Sequence, residues 1–287
     1  MSSPTTPTSA PSGSLVGKLL VRGLLAGIIA GLFAFSVAYV VGEPSVNASI
    51  AVEEAAAAKA EHAEHADHSA HSHDHGGNGA NGAATQADSE EEIVSRDLQS
   101  TAGLATGVLV YGVALGGIAS LAFCFVIGRL GRFSAKATAA LVASAAFTTV
   151  YLVPFLKYPA TPPAVGNPDT IGQRTTLFFL MILLSVLLGV AAVIAGRRLA
   201  PRLGNWNATV LAGAGYVAAV VIACVFLPGN ADSVQAEFPA SVLWEFRMAT
   251  LGIQLALWAV FGLAFGWLAE RLLAPKEAPA QAATVAA

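Results

Sequence analysis

The chain has 287 residues, of which 55% are hydrophobic and only 11% charged, with a formal net charge of −3. A soluble domain carries charge on about a quarter of its residues. The composition therefore excludes one and points to an integral membrane protein, with the lipid bilayer as a partner and no nucleic-acid partner expected.

In chain order, residues 1–17 are rich in Ser, Thr and Pro and read as a disordered cytoplasmic tail. Six apolar stretches follow, roughly 19–41, 103–127, 137–156, 177–195, 208–227 and 249–268. Each is near the ~20 residues that cross a hydrocarbon core as a helix. The expected fold is an all-α, polytopic bundle of about six transmembrane helices. Its parts are a first span over 18–42, a long outer loop over 43–102, a bundle of about five helices over 103–270 and a second tail over 271–287. The first apolar run exceeds a signal-peptide core in length, so it is read as an uncleaved anchor.

Lysine and arginine counts set the orientation. Lys18, Arg22, Arg129, Arg132, Lys136, Arg197, Arg198, Arg202, Arg271 and Lys276 fall on one side, and Lys59, Arg96, Lys157, Arg174 and Arg247 on the other. The richer side faces the cytoplasm. Both termini are thus expected inside a plasma membrane, and the loop over 43–102 outside it.

That loop holds all six histidines, His62, His65, His68, His71, His73 and His75, interleaved with Glu61, Glu64, Asp67 and Asp74. Imidazole and carboxylate together suit borderline divalent cations such as cobalt, nickel, zinc and copper. The Ala- and Glu-rich stretch over 51–70 favours a partial helix, on which His62, His65, His68 and His71 recur every three residues as a rotating stripe. From Gly76 a glycine-rich stretch gives a flexible tether. Only neutral imidazole binds metal, so capture should weaken as pH falls through about 6.5, the ordinary imidazole value. The competing interpretation is a solvated spacer of the same composition.

Within the spans no Asp, Glu, Lys, Arg or His occupies a central position, so no proton relay and no pair of haem-ligating histidines is visible. Cys124, Met181, Cys224 and Gln254 are intramembrane, with packing as the default role for the sulfur-bearing residues. Glycines recur every fourth residue at Gly23, Gly27 and Gly31, at Gly103 and Gly107, at Gly112 and Gly116, and at Gly262 and Gly266. This spacing lets helix backbones approach closely. No catalytic constellation and no nucleotide loop is visible, and an enzyme is not expected.

The outer connections supply a second set of candidates. Pro154 to Pro163 is a stiff segment that leads to Asp169 and Arg174, while Leu227-Pro228 leads through Asp232, Glu237 and Phe238-Pro239 to Trp244, Glu245 and Arg247. With Glu43, the acids Asp169, Asp232, Glu237 and Glu245 could line a vestibule of oxygen ligands, organised by Arg174 and Arg247.

These pieces taken in order, Glu43-Pro44, the His/Glu-rich loop, Arg96, Pro154 to Pro163, Arg174, Leu227-Pro228, Phe238-Pro239, Trp244, Phe246-Arg247, Gln254 and Trp258, resemble the CbtA family of predicted cobalt transporters. The resemblance implies a membrane component for cobalt uptake, associated with cobalamin synthesis and accompanied by a small single-span, CbtB-like partner. That family is described with about five spans, one fewer than counted above. The expected function is that of a permease component for a divalent transition metal, cobalt first and nickel or zinc next, with no permanently bound cofactor and the metal as substrate. A metal-sensing or scaffold membrane protein that does not transport is the alternative.

Overall fold

The computed structural model describes residues 12–70, 95–131, 133–163, 165, 168–229, 234 and 238–274. The described residues are helical, with short connections and no strand. Five helical runs are long and apolar enough to cross a membrane: Leu15–Lys59, Arg96–Val126, Ala135–Lys157, Ile171–Phe226 and Ala240–Leu273. Backbone amides and carbonyls pair within each helix, which is what a hydrocarbon environment demands.

The first run does not stop where its apolar stretch ends. Helix α1 (Ser12–Val37) passes through a π-helical turn, Ala38–Gly42, into α2 (Glu43–Ala70). Within that turn the Glu43 N–H donates to the Ala38 carbonyl, five residues back. Pro44 explains the wide turn: it has no N–H for the carbonyl four residues earlier and its ring crowds that carbonyl. The sequence places a span end at Gly42, yet the helix carries on into the Ala- and Glu-rich stretch.

The same device precedes Pro154. After α3 (Arg96–Leu98), a second π segment (Gln99–Gly103) and α4 (Leu104–Val126), helix α5 (Ala135–Ala146) widens into a π segment over Phe147–Leu152 before α6 (Val153–Lys157). Both prolines therefore sit just past a widened turn.

Helix α7 (Ile171–Phe226) has 56 residues, roughly 84 Å if straight and far more than one hydrocarbon core. It is not straight. Gly204 has φ +77°, a left-handed conformation that suits glycine, and Pro201 lies just before it. Ser185 Oγ and Tyr216 Oη are 2.9 Å apart, whereas 31 residues of straight helix would separate them by about 46 Å. A Cβ on Gly196 would similarly lie 3.2 Å from the Cβ of Ala212. The chain reverses at Gly204, so the fourth and fifth apolar stretches are two arms of one helical hairpin. Six apolar stretches thus occupy five continuous runs, completed by α8 (Ala240–Leu273).

The chain divides into two compact units. The first contains residues 1–34, 108–148 and 254–287. There α1 and α4 meet through glycine: a Cβ on Gly27 would collide with the Gly112 carbonyl oxygen, and one on Gly116 would lie 2.5 Å from that of Gly23. Side chains have no room at this crossing. In α8, Gly262 and Gly266 admit Ala143 and the Lys136 backbone of α5 in the same way. Gly107 is different, because nothing lies within 4 Å of its added Cβ. Phe123 and Phe265 close the unit edge to face at 5.0 Å, and Lys136 pairs with Glu270.

The second unit contains residues 35–107 and 149–253. Its core joins Val153, Tyr158 and Met181 to Leu177, Phe178, Tyr216 and Cys224. Met181 and Cys224 are packing residues here, as the apolar setting of lone sulfur-bearing side chains leads one to expect.

Candidate functional site

The polar groups that could meet a cation lie in the second unit, around the root of α2. Glu43 opens that helix, and its carboxylate accepts from Nη2 of Arg96, which opens α3. The same guanidinium nitrogen donates to Asn47 Oδ1, one turn further along α2, at 3.1 Å. The side chains of Glu43 and Arg96 are 13% and 33% exposed, so the pair is partly desolvated. An acid held this way is an organised anion, guarded by a cation that a metal would have to displace.

The root of α2 is tied to a second connection. Ser49 is fully buried and donates to the Pro163 carbonyl at 2.5 Å, while Ser45 donates to the Gly42 carbonyl at 2.7 Å inside the π turn. The segment Pro154 to Pro163 is thereby fixed to α2. Tyr158 in that segment donates to the Pro228 carbonyl at 2.8 Å, tying down the connection after α7. Burial, and then the neighbouring Cys224 thiol, raise the Tyr158 phenol above its ordinary value, so it remains a donor.

From Ala51 to Lys59 the helix is largely exposed. Its backbone carries Glu61, His62, Glu64, His65, Asp67 and His68 in helical register, and His62 is exposed. Residues three apart on a helix are neighbours across one turn, so each of these histidine positions adjoins the next. His71, His73, Asp74 and His75 lie outside the described residues, as do the ends of both tails.

The vestibule residues are only partly brought together. Arg247 Nε donates to the Ala160 carbonyl at 3.3 Å, so it organises the stiff segment. Arg174 is half-buried and lines a cavity with Tyr158 and Ala160. Asp169 is exposed on the short 3-10 turn Pro168–Thr170, and Glu245 is exposed on α8. Asp232 and Glu237 lie outside the described residues. Among the described residues, no three His, Cys, Asp or Glu side chains converge on a point that could hold a metal. The partnership of Glu43 with Arg96 and Asn47 is the feature that sequence reasoning missed. It spans 53 and 49 residues, and no local spacing signals it.

The family model for CbtA, described as a probable cobalt transporter subunit, matches residues 16–270. Comparison with curated proteins and with solved structures gives no match.

Proposed function

The chain belongs to the CbtA family of probable cobalt transporter subunits, and on that premise we propose that it captures cobalt at the outer face and passes it through the bundle. The supporting observation is the uninterrupted helical path from the first span to the positions of His62, His65 and His68, with His62 exposed on it. Metal is concentrated by His62, His65, His68, His71, His73 and His75 together with Glu61, Glu64, Asp67 and Asp74. Imidazole and carboxylate hold cobalt, with nickel and zinc as competitors of similar preference. Several adjacent sites of modest affinity allow an ion to step from one to the next.

His62 stands 19 residues beyond Glu43, about 28 Å along the helix. Glu43 is the acid at which the helix meets the membrane-crossing part, and a cation arriving there takes the carboxylate from Arg96. Asp169, Asp232, Glu237 and Glu245 contribute further oxygen ligands, while Arg174 and Arg247 hold the connections in place. The termini face the cytoplasm, and a single-span CbtB-like protein is the partner.

Radioactive cobalt uptake tests this reading. Cells carrying the chain and its partner should accumulate cobalt faster than cells lacking the chain, and equal rates would leave a metal-sensing scaffold as the better description. Removing Glu61 to His75 should raise the cobalt concentration for half-maximal uptake about tenfold, the effect of losing roughly 1.4 kcal/mol of capture, with a nearly unchanged maximal rate. Complete loss of uptake on that deletion would show the histidines to be part of the conduit.

A further inference from the structure

A cavity of about 410 Å³ in the second unit has a graded lining. The third apolar run ends at Lys157 and the fourth begins at Ile171, so the residues between them mark a membrane boundary. Close to that boundary the lining is polar, with Thr161, Arg174 and Thr175. Further along both helices it is aromatic, with Tyr151 and Phe155 stacked at 5.5 Å and Phe178 beside Phe179. Charge is equally one-sided. Among the described residues that line it, Arg174 is charged and none is an acid, while Lys157, outside the lining, sits 5.7 Å from the ring centre of Tyr158, which belongs to it.

From this geometry we infer a binding site for an anionic phospholipid. A positive lining repels a divalent metal ion and attracts a phosphate. The planar guanidinium has five N–H donors in a fork that matches phosphate oxygens, so it can serve a protein partner and a phosphate together. The threonine hydroxyls add donors beside it. Aromatic walls beyond the polar end suit a glycerol backbone and the first part of an acyl chain, as they do at membrane interfaces. Polarity falls along the cavity in the same order as along a phospholipid. The bound lipid would brace the Pro154 to Pro163 segment, whose Ala160 carbonyl is already held by Arg247.

The full chain reconstituted in phosphatidylcholine vesicles, with or without phosphatidylglycerol, gives the test. Phosphatidylglycerol should raise the thermal unfolding midpoint of the wild type by about 2 °C or more, and inorganic phosphate added to phosphatidylcholine vesicles should not. In Arg174→Leu the difference between the two vesicle types should vanish, and in Arg174→Lys it should shrink. Identical wild-type midpoints in the two compositions would overturn the inference, whether or not the variants fold. So would an equal response to inorganic phosphate, which would assign the pocket to the free anion, or an undiminished lipid effect in Arg174→Leu.

Discussion

The two units are held together by different means. In the first, α1 and α4 touch backbone to backbone through Gly23, Gly27, Gly112 and Gly116, and the specificity lies in what is missing. In the second, long-range polar bonds do the tying: Glu43 to Arg96, Ser49 to the Pro163 carbonyl, Tyr158 to the Pro228 carbonyl and Arg247 to the Ala160 carbonyl. The contrast teaches that a membrane protein almost without buried charge can pack one region chiefly through absent side chains, with Lys136 and Glu270 as an ion pair beside them, and another chiefly through side-chain bonds to distant carbonyls.

The sharpest way to break the comparison is to fill the glycine crossing. Gly27→Val should destabilise the protein by about 3 kcal/mol or more, because the first added carbon meets a carbonyl oxygen that cannot move aside. Membrane abundance and thermal unfolding would report it. Gly107→Ala, into open space, should be neutral or stabilising by up to about 1 kcal/mol. Equal effects at both positions would mean that glycine matters here for reasons other than proximity.

Cutting an ionic tether should have a smaller effect. Arg96→Leu leaves the Glu43 carboxylate partly buried without its cation, at an expected loss of about 1–3 kcal/mol. This falls short of the value for a fully buried pair because Arg96 is one-third exposed. Glu43→Gln combined with Arg96→Leu should recover much of the loss in a double-mutant cycle. Independent, additive losses would show that the two side chains do not act as a pair.

The smallest effect belongs to a single hydroxyl. Tyr158→Phe should lower stability by about 1 kcal/mol at neutral pH. The phenol is shifted upward in the folded protein, so the unfolded chain loses its proton first as pH rises. The contribution is therefore complete below the ordinary phenol range and drains away as pH climbs through the raised value. Unfolding midpoints followed into alkaline solution should converge for Tyr158→Phe and the wild type, and a constant gap would contradict the assignment.

How much of this was legible in the sequence follows the same division. Membrane-length apolar runs and fourth-residue glycines are local patterns, and both reappear as spans and as the α1–α4 crossing. Gly107 shows the limit of pattern, since its spacing matches its neighbours but nothing among the described residues comes within 4 Å of its added Cβ. Glu43-Pro44 reads as the end of a span because proline usually ends a helix. The π turn over Ala38–Gly42 lets the helix pass, and its stability draws on non-local bonds from Arg96 and to Pro163 that no window of residues could reveal. Arg197, Arg198, Pro201 and Arg202 look like an ordinary loop, yet the helices continue through them and the turn falls on Gly204 alone.

The unbroken path from α1 into α2 makes His62 the end of a lever. With about 28 Å between Glu43 and His62, a tilt of about ten degrees at the π turn would sweep His62 sideways by about 5 Å. Events too small to notice beside Glu43 would thus be magnified where solvent is sampled, and a jolt at the far end would be delivered, reduced in amplitude, to the lipid boundary.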